Sequence, residues 1–166
     1  MGAFDNDGKN KKRRVSIPPT AKVMGILDTI IMTVKLAIVV SRFSYEITGR
    51  MRKKAEKRAK ELGARIIKTV EVPGAYEIPL AVRRLLDEKK ADGVITIGTI
   101  IKGGTDHDAV IANAVARKLL DLSIEYKKPV SLGISGPNIT WKQSRERVED
   151  YAIRAVDAAV KMIARK

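Results

Sequence analysis

The chain contains no cysteine and a single histidine, His107, in 166 residues. The missing thiols exclude disulfides, thiolate nucleophiles and sulfur-ligated metals, and one imidazole is too few for a zinc or iron centre, so no metal site is expected. Aromatic residues are only 4% of the chain and none interleave with its basic runs, which removes the stacking platform that single-stranded nucleic acid uses. No apolar run approaches the roughly 18 residues that cross a bilayer. No apolar leader with a small-residue cleavage site follows the basic stretch Met1 to Arg14, so a cytoplasmic chain with no membrane contact is expected.

Cations, by contrast, are abundant: 33 Lys and Arg against 19 Asp and Glu give a net charge of +14. Much of the excess sits in a tail (Lys9, Lys11, Lys12, Arg13, Arg14) and in one segment from Arg50 to Lys60. Its plain reading is solvated surface. Its functional reading is nonspecific, salt-sensitive contact with nucleic acid through the tail, or, as a different class of function, a basic nucleic-acid-binding α/β module. Residues 1–22 are polar and aperiodic, include Pro18-Pro19, and read as a disordered basic tail. Residues 23–32 hold the apolar run Val23 to Ile31, read either as an N-terminal strand that adds to a neighbouring subunit's sheet edge or, with Met32 as an alternative start, as lying before the effective chain. Residues 33–166, with 45% hydrophobic residues over the whole chain, are enough for one domain with a core.

From Lys35 onward two periodicities alternate. Short apolar runs at Lys35–Val40, Arg65–Val72, Gly93–Gly98 and Pro129–Ile134 read as strands. Helical spacing follows each, over Glu46–Leu62, Tyr76–Glu88, Asp106–Tyr126 and Thr140–Ala164, with Gly63 stopping the first helix and Thr140 with Gln143 spaced as a capping box. Nearly continuous apolar strands alternating with helices imply a doubly wound α/β sandwich, a four-stranded parallel sheet with helices on both faces. Such folds bind ligands beyond the carboxyl ends of their strands. The segments to read are therefore Ser41–Tyr45, Val72–Glu77, Thr99–Asp108 and Ser135–Ile139.

The third segment is the richest. Gly103 and Gly104 permit close backbone approach, the helix that follows offers free N–H groups to an anion, and His107 both gives and takes protons near neutral pH. A solvated loop histidine is the bland alternative. Phe43 offers a flat apolar face to an aromatic ring, or else packs into the core. Glu77 accepts hydrogen bonds from a polyol or base, or else stabilises the first turn of a helix. Asp106 and Asp108 orient His107 or cap its helix.

Four segments in order, Ser41-Arg42-Phe43, Val72-Pro73-Gly74-Ala75-Tyr76-Glu77-Ile78-Pro79, Gly98 to His107 and Gln143-Ser-Arg-Glu-Arg147, resemble those of the lumazine synthase family of riboflavin biosynthesis, closest to its archaeal form. The resemblance implies a flavodoxin-like fold and a condensation that needs no cofactor. In it, 5-amino-6-(D-ribitylamino)uracil and 3,4-dihydroxy-2-butanone 4-phosphate give 6,7-dimethyl-8-ribityllumazine, with release of phosphate and water. It implies His107 as the proton-transfer residue. Phe43, Ser44, Gly74, Ala75, Tyr76, Glu77, Thr99, Ile100, Ile101 and Leu132 would surround the pyrimidine and its ribityl chain. Gly104, Thr105 and Arg147 would hold phosphate, Arg147 reaching from an adjacent subunit of a pentamer. Twelve pentamers form a shell in some members, which the resemblance does not extend to this chain. Leu132 stands where the bacterial form has an aromatic residue, and Glu149-Asp150-Tyr151-Ala152 replaces a glycine- and lysine-rich segment. An archaeal-type riboflavin synthase, acting on the lumazine itself and needing no phosphate grip, is the nearest rival.

Overall fold

The computed structural model describes residues 33–164; the expected tail, 1–22, and added strand, 23–32, lie outside them. Eight elements alternate: β1 (Lys35–Ser41), α1 (Tyr45–Glu61), β2 (Arg65–Val72), α2 (Ile78–Asp87), β3 (Gly93–Ile101), α3 (His107–Tyr126), β4 (Val130–Ile139) and α4 (Trp141–Ile163). All strand pairs are parallel and the order is β2-β1-β3-β4, the flavodoxin-like arrangement.

Central and edge strands differ in burial as their neighbours dictate. β1 and β3 are almost wholly buried, while β2 and β4, each paired on one side within the sheet, are partly exposed. Side chains of β1 alternate between two cores, as a period of two requires. Ala37 and Val39 meet α2 and α3 through Ile78, Val82, Leu85, Val115 and Leu119. Leu36, Ile38 and Val40 meet α1 and α4 through Ile47, Met51, Ala55, Ala152 and Val156. Each face of the sheet is thus closed by two helices. No helix among the described residues is long and apolar enough to cross a membrane.

Local signals account for the helix ends. Gly63, at φ 71°, adopts the left-handed turn after α1 at no steric cost. Thr140 accepts from Gln143 N at 3.2 Å while Gln143 Oε1 accepts from Thr140 N at 2.9 Å, which completes the capping box. The basic run of α1 is sorted by the fold. Arg58 bonds Asp157 at 2.8 Å and Lys54 bonds Glu149 at 2.6 Å, fastening α1 to α4. The Lys54 ammonium holds the Glu149 carboxyl below its ordinary range. The segment that departs from the bacterial pattern therefore has a tie of its own.

Three boundaries differ from the periodicity by two residues or more, and each has a cause. β3 runs on to Ile101 because Thr99 and Ile101 still pair with Ser135 and Ile139, across a shift in register. β4 accordingly continues to Ile139 rather than stopping at Ile134. α2 begins at Ile78, not Tyr76, with Pro79 in its first turn, where a missing N–H breaks no helical bond. Tyr76 and Glu77 belong to the turn.

Candidate functional site

The strand order reverses between β1 and β3, whose following helices, α1 and α3, lie on opposite faces of the sheet. A crevice must open where they part, and a cavity of about 370 Å³ lies there. Its walls come from the segments after three strands and from the start of α3. Arg42 N donates to Val72 O at 2.8 Å and Phe43 N to Pro73 O at 2.9 Å, so the chain after β1 stays paired with the chain after β2. This sets Phe43 beside Gly74, Ala75 and Tyr76 on one wall. Phe43 and Tyr76 are 67% and 68% exposed, apolar rings left facing water.

Ser44 then turns the chain into α1 at φ 59° and makes no side-chain cap. A left-handed serine costs roughly 1 kcal/mol or more, and such strain concentrates at functional sites. Asn138, at φ 59°, is a second left-handed residue close by. Glu77 Oε2 accepts from Gly74 N at 2.9 Å, closing the turn that presents Gly74 and Ala75 to the cavity.

The opposite wall is Thr99, Ile100 and Ile101 of β3, then Gly103, Thr105 and the first residues of α3. Thr99 Oγ1 is committed elsewhere: it bonds Ser144 Oγ and Ser135 Oγ, each at 2.7 Å, in a buried hydroxyl triad between β3, β4 and α4. Two of the three hydrogen-bonding positions of its hydroxyl are thus taken within the chain. His107 opens α3, is exposed, and lines the cavity. Asp106 precedes it at the N-cap position without a side-chain cap bond.

Of the fourteen residues that the resemblance assigns to the site, nine therefore line one cavity: Phe43, Gly74, Ala75, Tyr76, Thr99, Ile100, Ile101, Thr105 and His107. Ser44, Glu77 and Gly104 adjoin it without lining it. Leu132 and Arg147 lie apart. Leu132 is 50% exposed on the edge strand β4, level with Thr96 and so three residues before the Thr99–Ser135 pair at which the cavity begins. Arg147 is exposed on α4; among the described residues no carboxylate pairs with it, whereas Arg145 is tied to Glu46 at 3.0 Å. Gly103, Asp108 and Ile111 also line the cavity. The inward face of α3 (Asp108, Val115, Leu119, Leu122) has helical spacing, a signal that periodicity alone contained.

An aromatic plate, an imidazole and a helix start with free N–H groups can together stack a flat ring, receive an anion and move protons. Fold and cavity define a flavodoxin-like α/β protein with a cavity at its topological switch point. The sequence profile of the 6,7-dimethyl-8-ribityllumazine synthase family matches residues 33–166. The 6,7-dimethyl-8-ribityllumazine synthase of Methanopyrus kandleri is 53% identical over 132 residues, 80% of this chain and 93% of that one. Those of Metallosphaera sedula and Staphylothermus marinus are 53% identical over 133 and 131 residues, 80% and 79% of this chain and 88% and 87% of theirs. The chain belongs to the 6,7-dimethyl-8-ribityllumazine synthase family.

Proposed function

We propose that the chain condenses 5-amino-6-(D-ribitylamino)uracil with 3,4-dihydroxy-2-butanone 4-phosphate to 6,7-dimethyl-8-ribityllumazine, releasing phosphate and water, within riboflavin biosynthesis. The observation that carries the reading is the convergence of Phe43, the Gly74–Tyr76 turn, the Thr99–Ile101 strand end and His107 on one cavity at the switch point. The pyrimidine stacks on Phe43, with the backbone of Ala75 and of β3 along its edge. The phosphate lies against Gly103, Thr105 and the start of α3. His107 moves the protons that imine formation, phosphate elimination and ring closure demand. Riboflavin synthase activity is the rival, and supplying each substrate set separately, with lumazine and flavin fluorescence as readouts, tests the two.

The cavity of one chain is electrostatically incomplete for this reaction. Among the described residues its lining holds no lysine or arginine and does hold a carboxylate, Asp108. A phosphate needs a cationic partner to replace its hydration, so we place Arg147 of an adjacent subunit over it, in a homo-oligomer read as a pentamer. Leu132 would approach the pyrimidine from that same neighbour. Arg147→Ala is expected to raise the Michaelis constant for the phosphorylated butanone about tenfold or more, and that for the pyrimidine much less. Mixing equal amounts of Arg147→Ala and His107→Ala subunits within one oligomer should regenerate about a quarter of the native sites, since each site needs one intact residue from either subunit. Activity no higher than the mean of the two variants would assign Arg147 to its own chain's surface.

Residues 1–22 are proposed to be dispensable for catalysis. A chain starting at Val23 is expected to keep its oligomeric state in sedimentation and its turnover, and to lose most nonspecific, salt-sensitive binding of nucleic acid. Loss of turnover would give the tail a part in the site.

A further inference from the structure

Asp108 violates the pattern of its own helix. It begins the inward face of α3, in line with Val115, Leu119 and Leu122, where the spacing calls for an apolar side chain. It is only 6% exposed, and burying a carboxylate is costly unless hydrogen bonds or charges compensate. Its Oδ2 accepts from Asn138 N at 2.9 Å. Among the described residues no lysine or arginine pairs with it, and the one hydrogen bond it receives there engages Oδ2. The same side chain lines the cavity, as do His107 and the apolar Ile100 and Ile111.

Two structural duties explain part of this. A carboxylate in the first turn of a helix is favoured by the dipole, but Asp106 supplies that charge from an exposed position. Anchoring Asn138, left-handed at φ 59°, requires an acceptor, and the neutral oxygen of an amide would serve. Neither duty explains a buried negative charge facing an apolar cavity. An anionic acceptor beside the reacting histidine fits a ligand rich in N–H and O–H donors and repels phosphate.

We propose that Asp108 is a substrate-binding residue whose free carboxylate oxygen accepts a hydrogen bond from an amino or hydroxyl group of the ribitylaminopyrimidine and keeps the phosphate of the second substrate at the Gly103–Thr105 side. The proposal rests on the functional reading above. Asp108→Asn separates the two duties, because it preserves an acceptor for Asn138 N and removes the charge. Michaelis constants for both substrates, followed by lumazine fluorescence, and the melting temperature are measured for the native chain, Asp108→Asn and Asp108→Ala. In Asp108→Asn the constant for the pyrimidine is expected to rise about 10- to 100-fold, the range for a lost hydrogen bond to a charged group. The constant for the phosphorylated butanone should stay within about twofold and the melting temperature within a few degrees. Native kinetics in Asp108→Asn with a destabilised Asp108→Ala would make Asp108 a loop anchor only and overturn the proposal. So would equal shifts for both substrates, or a collapse of melting temperature in Asp108→Asn. A native chain that forms no lumazine would remove the functional reading and this proposal with it; an active native chain with an unaffected Asp108→Asn removes this proposal alone.

Discussion

Replacing His107 by alanine is expected to lower turnover by about 10- to 10³-fold, slightly below the usual contribution of a general acid–base group because amine and ketone also condense unaided. The side chain is exposed at the mouth of α3, so folding and assembly should be unchanged. The effect should fall on the catalytic constant rather than on the two Michaelis constants, since stacking on Phe43 and the phosphate contacts do not pass through the imidazole. A pH profile of the catalytic constant checks the assignment: the profiles of the variant and the native enzyme should differ in shape. Full activity of the variant from about pH 6 to 8 would take His107 out of the mechanism.

The second large effect is expected at Gly136, in β4 behind the cavity wall. Its φ is +112°, and a Cβ there would lie 2.4 Å from Ile100 O and 3.2 Å from Ile100 C, both backbone atoms. Gly136→Ala must therefore move β3 or β4, in addition to forcing a side chain into a conformation that L residues avoid. Backbone strain and overpacking together should cost about 3 kcal/mol. For a domain of this size that lowers the melting temperature by about 10 °C. Because Ile100 lines the cavity, the Michaelis constant for the pyrimidine should rise in the same variant. An unchanged melting temperature would show that the register shift between Thr99 and Ile101 absorbs the added carbon.

Most of the elements were legible because burial and periodicity coincide. β1 and β3 read as unbroken apolar runs since helices cover both of their faces, and the Thr140–Gln143 capping box is a purely local arrangement of two side chains and two amides. The ends of β3 and β4 were not legible. Ser135, Gly136, Pro137 and Asn138 carry turn chemistry, yet they remain in a strand because β3 continues beside them. That pairing is long-range, and no local signal encodes it.

The candidate site divides along the same line. Phe43, the Gly74–Tyr76 turn and His107 could be picked out because each lies in a segment that follows a strand, and a parallel sheet brings the ends of all its strands to one edge. Which of their atoms face a ligand was a matter of packing. Thr99 spends its hydroxyl on Ser135 and Ser144, and Glu77 spends an oxygen on Gly74 N. Asp108 turns inward to Asn138 N instead of orienting the adjacent His107, because consecutive helical residues point about 100° apart.

What the sequence by itself determined is the alternation of strands and helices, the parallel sense of the sheet and the motifs at its strand ends, since all three follow from short-range spacing and from the need to bury apolar faces. Only the tertiary structure decided the order β2-β1-β3-β4, and with it the place of the cavity. It alone decided which side chains enter that cavity and that Leu132 and Arg147 stand apart from it. Strand order and side-chain direction depend on contacts between residues far apart in the chain, and the energy of those contacts exists only once the whole sheet is assembled.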